Sequence, residues 1–182
     1  MRRLSAVIVR KQEAQDYEAI RHVYAEAFRQ PRFRPRQNAG AVPPEVALFE
    51  ALWEAGDAIP ELSFTAVSDA KVIGHVTAST ATVGADPVVA VGPIGVLPDH
   101  QGTGIGSALM GAHLEAADAA AVPLVALLGA PQYYSRFGFR PAAQLGVMAP
   151  EPEWGAAFQA RPMTAYTDAV AGPFRYAPAF SS

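Results

Sequence analysis

The chain contains no cysteine, and this absence excludes several kinds of chemistry at once. A protein without thiols forms no disulfide bonds, has no thiolate metal site and cannot use a cysteine nucleophile. No apolar run approaches the roughly 20 residues that a membrane-crossing helix needs. The segment that follows Met1-Arg2-Arg3 is too short and too mixed for a secretory signal. We therefore expect a cytoplasmic protein that does not contact a membrane.

Basic side chains are scarce over most of the chain. The net charge is −3, nine of the fourteen Lys and Arg lie in residues 1–36, and none lies between Lys71 and Arg136. A nucleic-acid-binding protein is expected to carry a broad basic face, whereas only the segment from Arg29 to Arg36 is basic here. We interpret that segment as a solvated loop and expect no nucleic-acid partner. An RNA-associated protein that uses this loop is the alternative.

The usual signatures of metal and hydrolase sites are also missing. The four histidines are scattered without a His-x-x-x-His pair and carboxylates do not cluster, so we expect no metal. No Gly-x-Ser-x-Gly sequence is present, which argues against a serine hydrolase built on a nucleophile elbow.

Five glycines lie close together between Gly92 and Gly106. An apolar, strand-like run ends at Pro98, and alternating glycines then lead into a helical pattern. The first N–H groups of a helix have no partner within it and carry the positive end of its dipole, so this order favours a phosphorylated ligand. A Walker loop is excluded because no lysine is near. The spacing Gly-x-Gly-x-Gly also differs from the dinucleotide fingerprint.

Two segments carry a family resemblance. Gln101-x-x-Gly104-x-Gly106, behind the run from Ile94 to Pro98, resembles motif A of the GNAT superfamily of acyl-CoA-dependent N-acyltransferases. The segment 129–141, in which three residues separate Tyr134 from Gly138-Phe139, resembles motif B. The ending from Gly172 to Phe180 is similar to that of a YhbS-like subgroup of bacterial GNAT proteins.

The resemblance implies an α/β (α+β) GNAT fold with a mixed, splayed central sheet of about seven strands flanked by helices. We expect one N-acetyltransferase domain over residues 1–182, with a core at about 5–165 and a packed tail at 166–182. The local patterns are compatible with this fold. They predict helices over 16–28, 44–56 and 104–120, a hairpin of 61–67 with 71–83, strands over 6–10, 88–97, 124–128 and 157–165, and a bulge at Gly92-Pro93.

The activity implied by the resemblance is direct transfer of an acetyl group from acetyl-CoA to a primary amine of an unidentified small molecule, peptide or protein. The backbone of Ile94 and Val96 would pair with the pantetheine arm, and Tyr134 would protonate the departing thiolate as general acid. Tyr134 has a structural alternative, a buried ring with a hydrogen-bonded hydroxyl. The implied cofactor-binding residues are Ile94, Gly95, Val96, Gln101, Gly102, Thr103, Gly104, Ile105, Gly106, Ser107 and Tyr134.

The base that deprotonates the amine is not identified by any motif. His75 lies in a strand that can face the cleft, and histidine titrates in the useful range, although a structural histidine fits equally well. Glu45, Glu50 or a water relay are further candidates. A non-catalytic module that binds acyl-CoA is the rival function. Pairing of two copies into a homodimer through the aromatic C-terminal segment is a further expectation.

Overall fold

The computed structural model describes residues 6–29 and 41–181. In these ranges it places four α-helices and nine β-strands, joined by turns and short 3-10 segments. The helices are α1 (Tyr17–Ala27), α2 (Pro44–Ala55), α3 (Ile105–Ala119) and α4 (Pro131–Tyr134). The strands are β1 (Ile8–Lys11), β2 (Phe64–Ser68), β3 (Lys71–Val83), β4 (Asp86–Val96), β5 (Leu124–Leu128), β6 (Arg140–Pro141), β7 (Val147–Met148), β8 (Phe158–Pro162) and β9 (Gly172–Tyr176).

The strands form one mixed sheet with the order β1-β2-β3-β4-β5-β8-β6. All neighbouring pairs along this path are antiparallel except β4 and β5, which run parallel. The closing strand expected at 157–165 is β8, and it pairs along the full length of β5. The tail is also part of the sheet, because β9 pairs with the end of β3 and with β7. The expected mixed sheet flanked by helices is thus confirmed.

The sheet splays apart between β4 and β5. Only Val89 with Val125 and Ala90 with Ala126 are paired, near the start of both strands. Beyond that point β4 is bulged, since Val76 of β3 faces Ile94 while Ala78 faces Val91, so that two residues of β4 oppose one of β3. The bulge lies at Gly92-Pro93, as the sequence predicts. A cleft therefore opens between the C-terminal halves of two parallel strands.

The helices cover the two faces of the sheet. A Cβ added to Gly74 would touch Ile105 and Leu109 of α3, whereas one added to Gly95 would touch Tyr24 of α1. Gly95 lies opposite His75, the neighbour of Gly74, and successive residues of a strand point to opposite faces. It follows that α3 packs on one face and α1 on the other, with α2 against α1 through Phe49 and Val46.

Some local expectations need correction. Helix α1 begins at Tyr17 and not at Asp16, whose buried carboxylate accepts hydrogen bonds from Arg10 and from the Glu13 N–H. Residues 61 and 62, expected in a strand, belong to the 3-10 turn Pro60–Leu62. Helix α3 begins one residue later and ends one residue earlier than expected, and its buried residues include Met110, His113 and Leu114. The arginine segment lies outside the described residues from position 30 onward. Among those that are described, no helix is long and apolar enough to cross a membrane.

Candidate functional site

The N-terminus of α3 has the features of an anion site. Gly104 stands at the N-cap with φ +90°, and no side chain caps this helix end. A Cβ added at Gly104, or at Gly102 with φ +74°, would meet no atom within 4 Å. Both glycines are therefore needed for their backbone conformation, and they leave the space beside the helix N–H groups open. This geometry fits a phosphate group held by backbone amides.

Two polar side chains of this loop form hydrogen bonds with backbone carbonyls of the protein. The Gln101 side-chain amide donates to the Val96 carbonyl oxygen at 2.9 Å, and the Thr103 hydroxyl donates to the His100 carbonyl at 2.6 Å. Ile105 is buried in the core, so only its backbone is available to a ligand. Of the predicted loop residues, these three therefore hold the shape of the loop, and the backbone amides up to Ser107 remain for the anion.

The outer edge of β4 leads from this loop into the cleft. The Leu97 N–H donates to the Ile73 carbonyl of β3, and hydrogen-bonded positions alternate along an antiparallel pair. The backbone groups of Ile94 and Val96 consequently point away from β3, toward the gap left by β5. Gly95 differs, because its backbone faces β3 and its missing side chain admits Tyr24. The structure thus brings Ile94 and Val96, but not Gly95, to the cleft edge.

Tyr134 reaches the cleft from the opposite side. Its ring lies over Gly129 at the end of β5, against Tyr133 (4.9 Å between ring centroids) and Phe139 (6.0 Å). Burial raises the pKa of the phenol to about 12, so the hydroxyl stays protonated at neutral pH. Within the described part of the chain, its hydroxyl has no hydrogen-bond partner. The structural alternative of a carbonyl-bound hydroxyl is therefore not what is observed.

Tyr134 and the outer edge of β4 line one cavity of about 560 Å³. Its inner part is formed by residues 91–94 of β4, by Leu127 and Leu128 of β5, and by Met110 of α3. The other lining residues, outside motifs A and B, are Phe28, Glu45, Leu48, Pro150, Glu151, Trp154, Tyr176 and Phe180. We call the part of the cavity that they line its outer compartment.

His75 does not face this cavity, contrary to the expectation for a base. It is fully buried beneath α1, where Nδ1 lies 2.6 Å from the Tyr24 hydroxyl and Nε2 lies 2.8 Å from Gln12 Oε1. Burial lowers its pKa to about 3, so the ring is neutral. The Tyr24 hydroxyl also donates to the Pro93 carbonyl at 2.9 Å. His75 thus belongs to a buried network that supports the bulge of β4.

The acidic candidates for a base separate into two groups. Glu50 forms an ion pair with Arg21 and is absent from the cavity lining, whereas Glu45 lines the cavity. Glu151, which sequence reasoning missed, also lines it. No motif marks Glu151, since it reaches the cavity only because the segment after β7 folds back toward the cleft. Across the described ranges, no cluster of three or more potential metal ligands occurs.

A family model for the acetyltransferase (GNAT) family matches residues 17–139. The chain belongs to this family. The match runs from the start of α1 to the end of motif B, so it includes the α3 loop, the β4 edge and Tyr134. The GNAT fold and membership among the acetyltransferase enzymes are thereby established for this chain.

Individual GNAT relatives agree with this assignment. An uncharacterized N-acetyltransferase, YjhQ of Escherichia coli K12, is 32% identical over 141 residues, which cover 73% of this chain and 78% of YjhQ. A GNAT acetyltransferase of Brucella melitensis, solved with acetyl-CoA, superimposes with TM-score 0.76 at 29% identity, covering 97% of this chain and 99% of its own. The E. coli protein YhbS, solved with CoA, shares the fold with TM-score 0.83 at 24% identity, covering 100% and 96%.

Proposed function

We propose that this GNAT protein transfers the acetyl group of acetyl-CoA to a primary amine by direct attack, with Tyr134 as general acid. One observation carries the proposal. The anion site at α3 adjoins the outer edge of β4 through the hydrogen bond from Gln101 to Val96, and that edge lines one cavity together with a protonated phenol. The Brucella melitensis relative, which matches nearly the whole chain, was solved with acetyl-CoA.

The residues present fit an acyl-CoA along this cleft. The amides from Gly102 to Ser107 would hold its pyrophosphate, since no Lys or Arg lies between Lys71 and Arg136 to do so. The backbone groups of Ile94 and the N–H of Val96, whose carbonyl already accepts from Gln101, would pair with the amides of the pantetheine arm as an added strand does. Bound there, acetyl-CoA supplies an activated thioester carbonyl.

In the reaction the amine nitrogen forms a bond to the thioester carbonyl carbon, and the carbon–sulfur bond breaks. The departing thiolate, whose parent thiol has a pKa of about 8 to 9, takes a proton from the Tyr134 hydroxyl, and the proton that the nitrogen loses as the amide forms returns Tyr134 to its neutral state. An alkylammonium has a pKa near 10 and must lose a proton before it attacks. Glu45 and Glu151 line the cavity and are the carboxylates placed to receive that proton, directly or through water.

The first test is calorimetric titration with acetyl-CoA. Micromolar binding is expected, and the Gly104→Glu, Gly106→Glu double variant should abolish it by placing negative charge in the anion site. Gly111→Glu is the matched control, because it adds the same charge to an exposed position of the same helix where a Cβ meets nothing within 4 Å. Absence of binding by the folded wild-type protein at millimolar acetyl-CoA would overturn the assignment.

The second test separates an enzyme from a non-catalytic module that only binds acyl-CoA. Release of free CoA thiol is followed with a panel of amines, for the wild-type protein and for Tyr134→Phe. An enzyme releases thiol in an amine-dependent way, and Tyr134→Phe lowers kcat by about 10²-fold while acetyl-CoA still binds. Binding of acetyl-CoA without turnover of any amine, and without an effect of Tyr134→Phe, would favour the binding module.

A further inference from the structure

The outer compartment of the cavity has an aromatic wall. Trp154, Tyr176 and Phe180 form a continuous series, with centroids 6.3 Å apart for Trp154 and Tyr176 and a stacked 4.2 Å contact between Tyr176 and Phe180. Phe28 of α1 and Leu48 of α2 also line this compartment. Such a surface stabilises a bound ring or hydrocarbon and offers few partners to hydroxyl groups.

The ionisable side chains of the compartment have one sign. The carboxylates of Glu45 and Glu151 line it, whereas no Lys, Arg or His of the described ranges does. Carboxylates and aromatic rings that line the same cavity favour a cation, through ion pairing and through the negative face of an accessible ring. Two different lining chemistries therefore point to a ligand with one cationic end and an apolar body.

From this lining we propose that the acceptor is a small monocationic amine whose ammonium is attached to an aromatic or similarly bulky apolar group, as in a 2-arylethylamine. The inference rests on the proposed function. The Glu151 carboxylate attracts the ammonium, and the wall of Trp154, Tyr176 and Phe180 binds the apolar body. A cavity of about 560 Å³ that also includes the edge of β4 has the size of a small-molecule pocket.

The experiment compares 2-phenylethylamine with three amines that each lack one required feature. Ethanolamine lacks the apolar body, spermidine carries several charges without a ring, and glutamate adds negative charge. We expect kcat/KM for 2-phenylethylamine to exceed that of each of the others by about 10- to 100-fold, from burial of one aromatic group. Calorimetric binding of the amines without acetyl-CoA gives a readout that does not depend on turnover.

Two pairs of variants test the two halves of the compartment. Trp154→Ala should raise KM for 2-phenylethylamine about tenfold or more, and Trp154→Phe should restore most of the loss because it keeps an aromatic ring. Should Trp154→Ala not fold, Phe180→Leu examines the same wall. Glu151→Gln should raise the same KM several-fold, whereas Glu153→Gln, an exposed neighbour outside the lining, should not. All these variants should bind acetyl-CoA as the wild type does.

The outcomes separate this inference from the proposed function. Acetyl-CoA binding with equal or better turnover of ethanolamine, spermidine or glutamate overturns the acceptor class and leaves the acetyltransferase assignment standing. Unchanged KM in Trp154→Ala and Glu151→Gln overturns it as well. Failure of the folded protein to bind acetyl-CoA overturns both.

Discussion

Gly129→Ala is expected to lower turnover although it alters no group that touches the reacting atoms. A Cβ at this position would lie 2.9 Å from Tyr134 Cδ2 and closer still to Cε2. Non-bonded carbons prefer separations of about 3.5–4.0 Å, so ring and backbone must part by about 1 Å. The Gly129 backbone is fixed, because its N–H donates to the Ala157 carbonyl at 2.9 Å and its carbonyl accepts from Gln159 at 3.1 Å. The Tyr134 ring is therefore the part that moves.

A displacement of about 1 Å at a catalytic group costs about 10²-fold in rate, which is of the order that general acid catalysis contributes. We expect kcat of Gly129→Ala to fall by about this factor, with the dissociation constant of acetyl-CoA changed only a few-fold because α3 is not disturbed. Thiol release under saturating amine gives kcat, and calorimetry gives the dissociation constant. Gly111→Ala, whose added Cβ meets nothing within 4 Å, is the control.

The double variant Gly129→Ala, Tyr134→Phe decides the mechanism of the loss. If the methyl group acts by displacing the phenol, the double variant is no slower than Tyr134→Phe, since the group that the methyl displaces is already gone. A wild-type kcat in a folded Gly129→Ala protein would refute the placement of Tyr134. A double variant that loses the product of the two single effects would refute the proposed link between them.

Three further outcomes follow from the buried groups behind the cleft. Burial lowers the pKa of His75 to about 3, so below about pH 6.5 the folded state binds fewer protons than the unfolded state. The free energy of unfolding should therefore fall by up to about 1.4 kcal/mol for each pH unit between about pH 6.5 and pH 3. Urea unfolding at several pH values measures this slope, and His75→Gln should reduce it. An equal reduction by His22→Gln, which removes an exposed imidazole, would contradict the assignment of the slope to His75. Tyr24→Phe leaves the Pro93 carbonyl without its hydrogen-bond donor, so the free energy of unfolding measured in urea should fall by about 1–3 kcal/mol and acetyl-CoA should bind more weakly. An unchanged urea midpoint would contradict the role of Tyr24 in supporting the bulge of β4. Gly95→Ala forces a Cβ to 3.0 Å from Tyr24, so the melting temperature of this variant should be several degrees below that of Gly111→Ala. Equal melting temperatures would show that α1 moves away from β4 without a cost in stability.

The motifs could be predicted from the sequence because their signals are local. Gly102, Gly104 and Gly106 alternate over five positions of the chain, and the loop depends on the positive φ of Gly102 and Gly104, which few other residues adopt. The bulge at Gly92-Pro93 was predictable for the same reason, since a proline cannot donate to a ladder wherever the strand lies. The same holds for Tyr134, whose place is set by the short distance to Gly138-Phe139.

His75 shows why other parts could not be predicted. Alternation along β3 places it on the face opposite to Gly74, but the sequence does not say that α1 covers that face. Its partners, Gln12 and Tyr24, come from segments more than 50 positions away in the chain. Whether a polar side chain of a strand is buried or faces a cleft depends on which helix packs on that face of the sheet. This packing involves segments that are distant in the sequence.

The acceptor compartment is beyond sequence reasoning for a related reason. Its lining comes from the end of α1, from α2, from the segment around Glu151 and from the end of the chain, and each contributes only one to three side chains. No spacing connects Phe28 with Trp154 or Phe180, so no local pattern distinguishes these aromatic residues from core residues.

The bulge of β4 links these two parts of the site. At one place it turns the outer edge of the strand toward the cleft, and at the same place it presents the Pro93 carbonyl to Tyr24 of α1. The helix that contributes Phe28 to the acceptor compartment is therefore tied by a hydrogen bond to the strand edge that would bind the pantetheine arm. Among the described residues, no hydrogen bond ties the C-terminal part of the wall to β4, and Trp154, Tyr176 and Phe180 are joined by ring contacts. Substitutions in that part of the wall should consequently change which amine is accepted while the acetyl-CoA cleft keeps its geometry, whereas substitutions at Tyr24 should affect both substrates together.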